Sequence, residues 1–168
     1  MSAGVITAVG IDVSKYKSTV AARRPGGEVA LLPFDVSHDV AGIKKLLERL
    51  HSLEAEDGEI RVIMEHTGMY WRPVALALQQ AGFFVSVVNA ILIHNFSDNS
   101  LRKMKTDKAD ALKIANYGLT FWMDLREYST EDETRQMLKI QSRLYERTTT
   151  TGIMLRNGLI SLLRGYLQ

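Results

Sequence analysis

Apolar and β-branched residues run almost unbroken through VITAVGIDV (5–13), resume in KSTVAARR (17–24), and return in VALLPFDV (29–36) beyond the turn RRPGGE. Three such runs with so little between them predict an antiparallel meander. The period then changes. In SHDVAGIKKLLERLHSL (37–53), Val40, Ile43, Leu46, Leu47 and Leu50 recur at helical steps behind a Ser37 or Asp39 cap. IRVIME (60–65) is a fourth strand, and roughly 71–81 a helix that tolerates Pro73 in its first turn and stops at Gly82. FFVSVVNA (83–90) is a fifth strand, continuous in apolar residues as a buried parallel strand should be. A mixed polar stretch over 91–104 leads to a helix beginning near Asp107.

The order β-β-β-α-β-α-β-α predicts an α/β domain: a mixed five-stranded sheet with flanking helices, in the layout of a ribonuclease-H-like fold. Past residue 130 the pattern is purely helical. Met137, Ile140, Leu144, Thr148, Thr151, Leu155, Leu159 and Leu162 form a seam suited to a partner helix. TTTTG (148–152) is poor helix material and predicts a bend or break. The boundaries expected are a domain over 1–125 and a coiled-coil-like extension over 126–168.

Composition narrows the class. With 46% apolar and 24% charged residues the chain of 168 is globular, and no apolar run reaches membrane-spanning length. The N-terminus lacks a signal-peptide layout. Zero cysteines exclude disulfides and thiolate metal sites, which suits a cytoplasmic location. A net charge of +2 says little about partners, but its distribution says more. From 135 onward Arg135, Lys139, Arg143, Arg147, Arg156 and Arg164 stand against Glu146 alone, and the first four repeat every fourth residue as a basic ridge.

The candidate chemistry lies in carboxylates. Asp12 comes late in the first strand and Glu65 ends the fourth, so neighbouring strands would bring them together. KTDKADA (105–111) puts Asp107 and Asp110 on one helical face. Four carboxylates in one crevice would repel one another unless a cation sat among them, and Mg²⁺ or Mn²⁺ is the natural one. Singly, each has a plainer explanation: a turn for Asp12, a surface charge for Glu65, a helix cap for Asp107 and a solvated charge for Asp110.

GIDVSK, MEHTGMYWRPVALALQQAGFFVSVVN and KTDKADA together resemble the N-terminal domain of the DEDD transposases of bacterial insertion sequences, the insertion sequence 110 family, which includes site-specific DNA invertases. The resemblance covers about residues 5–118, and LRNGLISLLRG fits the helical segment that follows in that family. It implies a RuvC-like domain in a bacterial cytoplasm with the DEDD signature on Asp12, Glu65, Asp107 and Asp110. It also implies DNA cutting and rejoining, a structured guide RNA, and a C-terminal domain bearing a nucleophilic serine. That domain is expected to lie beyond Gln168, so Ser142 and Ser161 are not its serine.

Lys103, Lys105 and Lys108 flank the aspartates and could meet phosphates, as could the ridge Arg135, Lys139, Arg143 and Arg147. A solvated surface accounts for both sets equally well. The seam favours a homo-oligomer or packing against the absent domain. Tyr70 and Trp71 read as helix-start packing and Trp122 as core. Other functions stay open: a stand-alone junction nuclease, or a non-catalytic remnant that binds nucleic acid or oligomerises. An actin-like ATPase is disfavoured, because Val13 and Ser14 follow Asp12 where a phosphate turn needs glycine.

Overall fold

The computed structural model describes residues 6–66, 68–97 and 106–166. The chain divides into two compact units, Met1–Tyr128 and Ser129–Gln168. In the first, β1 (Thr7–Val13), β2 (Lys17–Arg23) and β3 (Val29–Ser37) form the meander, followed by α1 (Val40–Asp57), β4 (Ile60–His66), α2 (Trp71–Gln80), β5 (Phe84–Asn89), α3 (Ala90–Ser97) and α4 (Asp107–Thr120). The sheet order is β3-β2-β1-β4-β5. β1–β2 and β2–β3 pair antiparallel, whereas β4 runs parallel to both β1 and β5. This is the mixed five-stranded α/β sheet of ribonuclease-H-like layout that the element order predicts.

Each face of the sheet has its own core. Val9, Ile11, Val62 and Met64 point to the side closed by α1 and α2, where Leu46, Leu50, Val74 and Leu78 complete a buried cluster. Ala8 and Ile63 point the other way, packing with Ile114 and Tyr117 of α4 and with Ile93 of α3. The alternation follows from the period of two along each strand. Trp71 is buried at the start of α2 and meets the Tyr128 ring edge-on at 5.4 Å, while its indole N–H donates to Gly68 O. Tyr70, the residue before it, is 46% exposed. Trp122 is buried as expected, with the Arg61 guanidinium stacked between its ring and that of Phe84 at 4.4 and 4.7 Å.

A polar knot ties the end of the sheet where β1 and β4 begin. The Arg24 Nε and Nη2 donate to Asp57 at 2.9 and 2.8 Å, Thr7 Oγ1 donates to the same carboxylate at 2.5 Å, and Nη1 reaches Glu28 at 2.6 Å. The Asp57 side chain is only 5% exposed, and the Arg24 guanidinium holds its carboxyl below the usual carboxylate range. Asp57→Ala is expected to destabilise the domain by about 2–3 kcal/mol at pH 7, short of the roughly 3–5 for a fully buried pair because Arg24 keeps Glu28. A depressed carboxyl contributes its stability above its unfolded value and loses it as pH falls through the folded one. The difference in denaturation midpoint should therefore hold at neutral pH and shrink only below about pH 4.

Three local expectations are revised. The stretch 91–104 is not all irregular, because Ala90–Ser97 forms α3, with Ile93 buried in the α4-side core. The cap of α4 is Thr106, whose Oγ1 accepts from Ala109 N at 3.2 Å, so Asp107 is the first helical residue and not the cap. The threonine run does not break the second unit, which is one helix, α5 (Thr130–Tyr166). There the hydroxyls of Thr148, Thr149 and Thr151 donate to the carbonyls of Leu144, Tyr145 and Arg147, one turn back. Those bonds satisfy the polar groups without leaving the helix.

Candidate functional site

α4 lies against β1 so closely that its backbone sits where a side chain on Gly10 would be. A Cβ on Gly10 would stand 2.1 Å from the Ala111 carbonyl oxygen and 2.4 Å from Ala115 N, so only glycine fits. Further along, Gly118 of α4 faces Ile63 and Ala8. The helix therefore runs antiparallel to β1, with its first turn over the C-terminal ends of β1 and β4.

The register builds a polar row beneath that turn. Asp12 pairs with Thr19 of β2, and Thr19 pairs with Asp35 of β3. Ile11↔Met64 is the last pair between β1 and β4, and Asp12 and Glu65 each follow it by one residue. Asp12 shares its strand face with Ala8 and Gly10, and Glu65 shares its face with Ile63, so both lie on the α4 side. Asp35, Thr19 and Asp12 thus stand in line across three strands, with Glu65 at the neighbouring end of β4. Both Asp12 and Glu65 are half-buried.

From above, Asp110 stands one turn before the buried Ile114, which places it toward β4. Asp107 stands one turn before Ala111 and leans toward β2, where its carboxylate lies 3.6 Å from Lys17 Nζ. Lys17 bonds mainly to Asp35 at 2.8 Å, and Thr19 Oγ1 donates to the other Asp35 oxygen at 2.8 Å. Asp35 raises the Lys17 pKa, and Lys17 in turn lowers that of Asp35. Neither Lys17 nor Asp35 stood out in the sequence. The signal was the hairpin itself, which returns Lys17 alongside the end of β1.

The donor set suits a hard divalent ion in kind, being carboxylates gathered at one edge from two strands and one helix. Among the described residues, however, no three carboxylate or histidine side chains stand close enough together to hold a metal. Asp107, turned to Lys17, is part of the reason. His66 lies on the opposite face from Glu65, where its ring packs 5.3 Å from that of Trp71. Lys108 lies near enough to Asp35 to lower its pKa, whereas Lys103 and Lys105 fall outside the described residues. Arg135, Lys139, Arg143 and Arg147 are exposed along α5. A groove of about 460 Å³, lined in part by Ile6, Phe96 and Leu119, opens at the far end of β1 and is not part of this edge. No described helix is long and apolar enough to cross a membrane.

The chain is similar to several known proteins. The pilin gene-inverting proteins of Moraxella lacunata and Moraxella bovis are each 28% identical over 88 residues, which take in 52% of this chain and 27% of the relative. The chain thus matches about a quarter of the length of these relatives. Among solved structures, Thermus thermophilus RuvC in complex with a Holliday junction substrate superposes with a TM-score of 0.48 at 13% identity, covering 70% of this chain and 95% of that one. A second Thermus thermophilus RuvC structure gives 0.45 at 16% identity, covering 72% and 98%. The sequence model of the insertion sequence 110 DEDD family, described as transposase, matches residues 9–168. A match across nearly the whole chain places this protein in the DEDD transposase family of insertion sequence 110.

Proposed function

We propose that the chain is the nuclease-like part of a DNA transposase or recombinase, in which Asp12, Glu65, Asp107 and Asp110 hold Mg²⁺ or Mn²⁺ and act on DNA phosphodiesters. The observation that carries this reading is the acidic first turn of α4 lying over the paired ends of β1 and β4. A bound divalent ion would supply Lewis-acid polarisation of a phosphodiester and an activated water. The chain's own residues do the rest. The strands fix two carboxylates, the helix brings two more, and Gly10 sets how closely the two layers meet. Lys103, Lys105 and Lys108, with Arg135, Lys139, Arg143 and Arg147, neutralise nucleic-acid phosphates in a salt-dependent way. In keeping with the family resemblance, the reading includes a serine-bearing partner domain, a structured guide RNA and self-association through α5, in a bacterial cytoplasm.

DNA binding measured with and without Ca²⁺ tests this reading, because Ca²⁺ bridges carboxylates to phosphates without needing turnover. The wild type should bind more tightly with the ion, and Asp12→Ala should not respond to it. The openness of the carboxylate cluster favours one second reading, a nucleic-acid-binding module with no metal chemistry. Equal DNA affinity with and without ion in both proteins would support that module and contradict the metal site.

Lys17 competes with the ion for Asp107. Lys17→Met should raise Mn²⁺ affinity about two- to fivefold, the scale expected from releasing one exposed ion pair. Isothermal titration of the two proteins reads this directly, and unchanged affinity would remove Lys17 from the account.

A further inference from the structure

The apolar seam of α5 has a symmetry that a helix covered by an unrelated partner does not need. Its members, Met137, Ile140, Leu144, Thr148, Thr151, Leu155, Leu159 and Leu162, are separated by 3, 4, 4, 3, 4, 4 and 3 residues. The series reads the same in both directions about a point between Thr149 and Thr150. Reversed onto itself, it sets Met137 against Leu162, Ile140 against Leu159, Leu144 against Leu155 and Thr148 against Thr151.

We infer that α5 pairs antiparallel with α5 of a second copy of this chain, about a two-fold axis between Thr149 and Thr150. The inference rests on the self-association proposed above and adds its orientation and register. An isologous interface requires a surface that matches itself on reversal, and this seam does. The 3-4-4 rhythm repeats every 11 residues, so the seam stays nearly straight along the helix, with a slight right-handed drift.

Area and charge point the same way. Ile140, Leu144, Leu155, Leu159 and Leu162 are 47%, 64%, 71%, 60% and 64% exposed. At roughly 100 Å² of apolar surface each, they bring about 1,000 Å² per pair of helices, the lower bound for a specific interface. At the axis, Thr148 and Thr151 donate their hydroxyls to carbonyls of their own helix and present methyl groups to the partner. Those hydroxyls therefore enter the interface already bonded. Arg135, Lys139, Arg143 and Arg147 average roughly 130° around the helix from the seam. A parallel pair would crowd both ridges at one end. The antiparallel pair sets their centres about 25 Å apart along the axis, beyond the ~8–10 Å over which such charges repel at physiological salt. Opposed helix dipoles favour the same orientation. Leu138, Tyr145, Ile153, Met154, Ile160 and Leu163 are exposed, lie roughly 90–170° from the seam and are not covered by this pairing.

With no native cysteine, the orientation can be read by cross-linking. Leu144→Cys and Leu155→Cys proteins are oxidised separately and as an equimolar mixture, with sedimentation of each reduced variant alongside. The inference expects dimers in solution, disulfide dimers in the mixture, and at least tenfold less from either variant alone. Efficient self-cross-linking of Leu144→Cys alone, with dimers still present, would overturn the orientation and leave self-association standing. Monomers at tens of micromolar, in wild type as in the variants, would overturn both. None of these readouts involves the carboxylates, so they stand or fall apart from the metal site.

Discussion

Gly10→Ala is expected to lower the stability of the domain by about 3 kcal/mol or more, far beyond what adding one methyl group does elsewhere in the sheet. The added carbon would lie 2.1 Å from a backbone oxygen and 2.4 Å from a backbone nitrogen, and neither can rotate away. α4 would have to lift off β1 as a body. That would strip Ile114 and Ala115 from the core and carry Asp107 and Asp110 away from the strand ends. Gly118→Ala is the control. Its Cβ would meet Ile63 Cδ1 at 2.4 Å and Cγ1 at 2.8 Å, atoms of a side chain that can change rotamer, and Ala8 Cβ at 3.2 Å, so a smaller loss of about 1–2 kcal/mol is expected. Chemical denaturation of the two variants checks both. Similar losses would mean that the helix is not seated on Gly10 as described.

The second large effect is on function. Asp12→Asn should weaken Mn²⁺ binding by about 100-fold or more, since even partners outside a metal's ligand shell are worth 10- to 100-fold. In EDTA the same variant should melt within a few degrees of the wild type, because asparagine keeps the size of the side chain and one of its acceptor oxygens. A residue kept for structure would lose stability on substitution, whereas one kept for an ion keeps its stability and loses binding. Thermal melts in EDTA and in Mn²⁺, side by side, separate the two roles. If Asp12→Asn melted several degrees lower in EDTA, the carboxylate would be structural.

Much of this was legible in the chain. The β-branched runs and the helical stripe of α1 gave the strands and their order, because β1, β4 and β5 are mostly apolar through their buried centres. The carboxylates at strand ends and the spacing of Asp107 and Asp110 were visible for the same reason. What the sequence hid was set by distance along the chain. Gly10 looks like any glycine in a strand until a helix a hundred residues later is seen resting on it. Lys17 meets Asp107 only through the fold, and Asp35 joins the row only through strand register. Thr106 and Asp107 are both good caps, and nothing local decides between them. The ILI of α3 was too short for its period to distinguish helix from loop. The threonines of α5 looked like breakers because propensity counts residues singly, whereas their hydroxyls bond back to the helix.

The account turns on whether the carboxylates of β1, β4 and α4 form one ion site. Calorimetric titration of Mn²⁺ into the wild-type chain, beside an Asp12→Ala, Asp110→Ala double variant, tests this most directly. Saturable binding in the wild type that disappears in the variant is the predicted result. Equal binding in both, or none in the wild type, would contradict it.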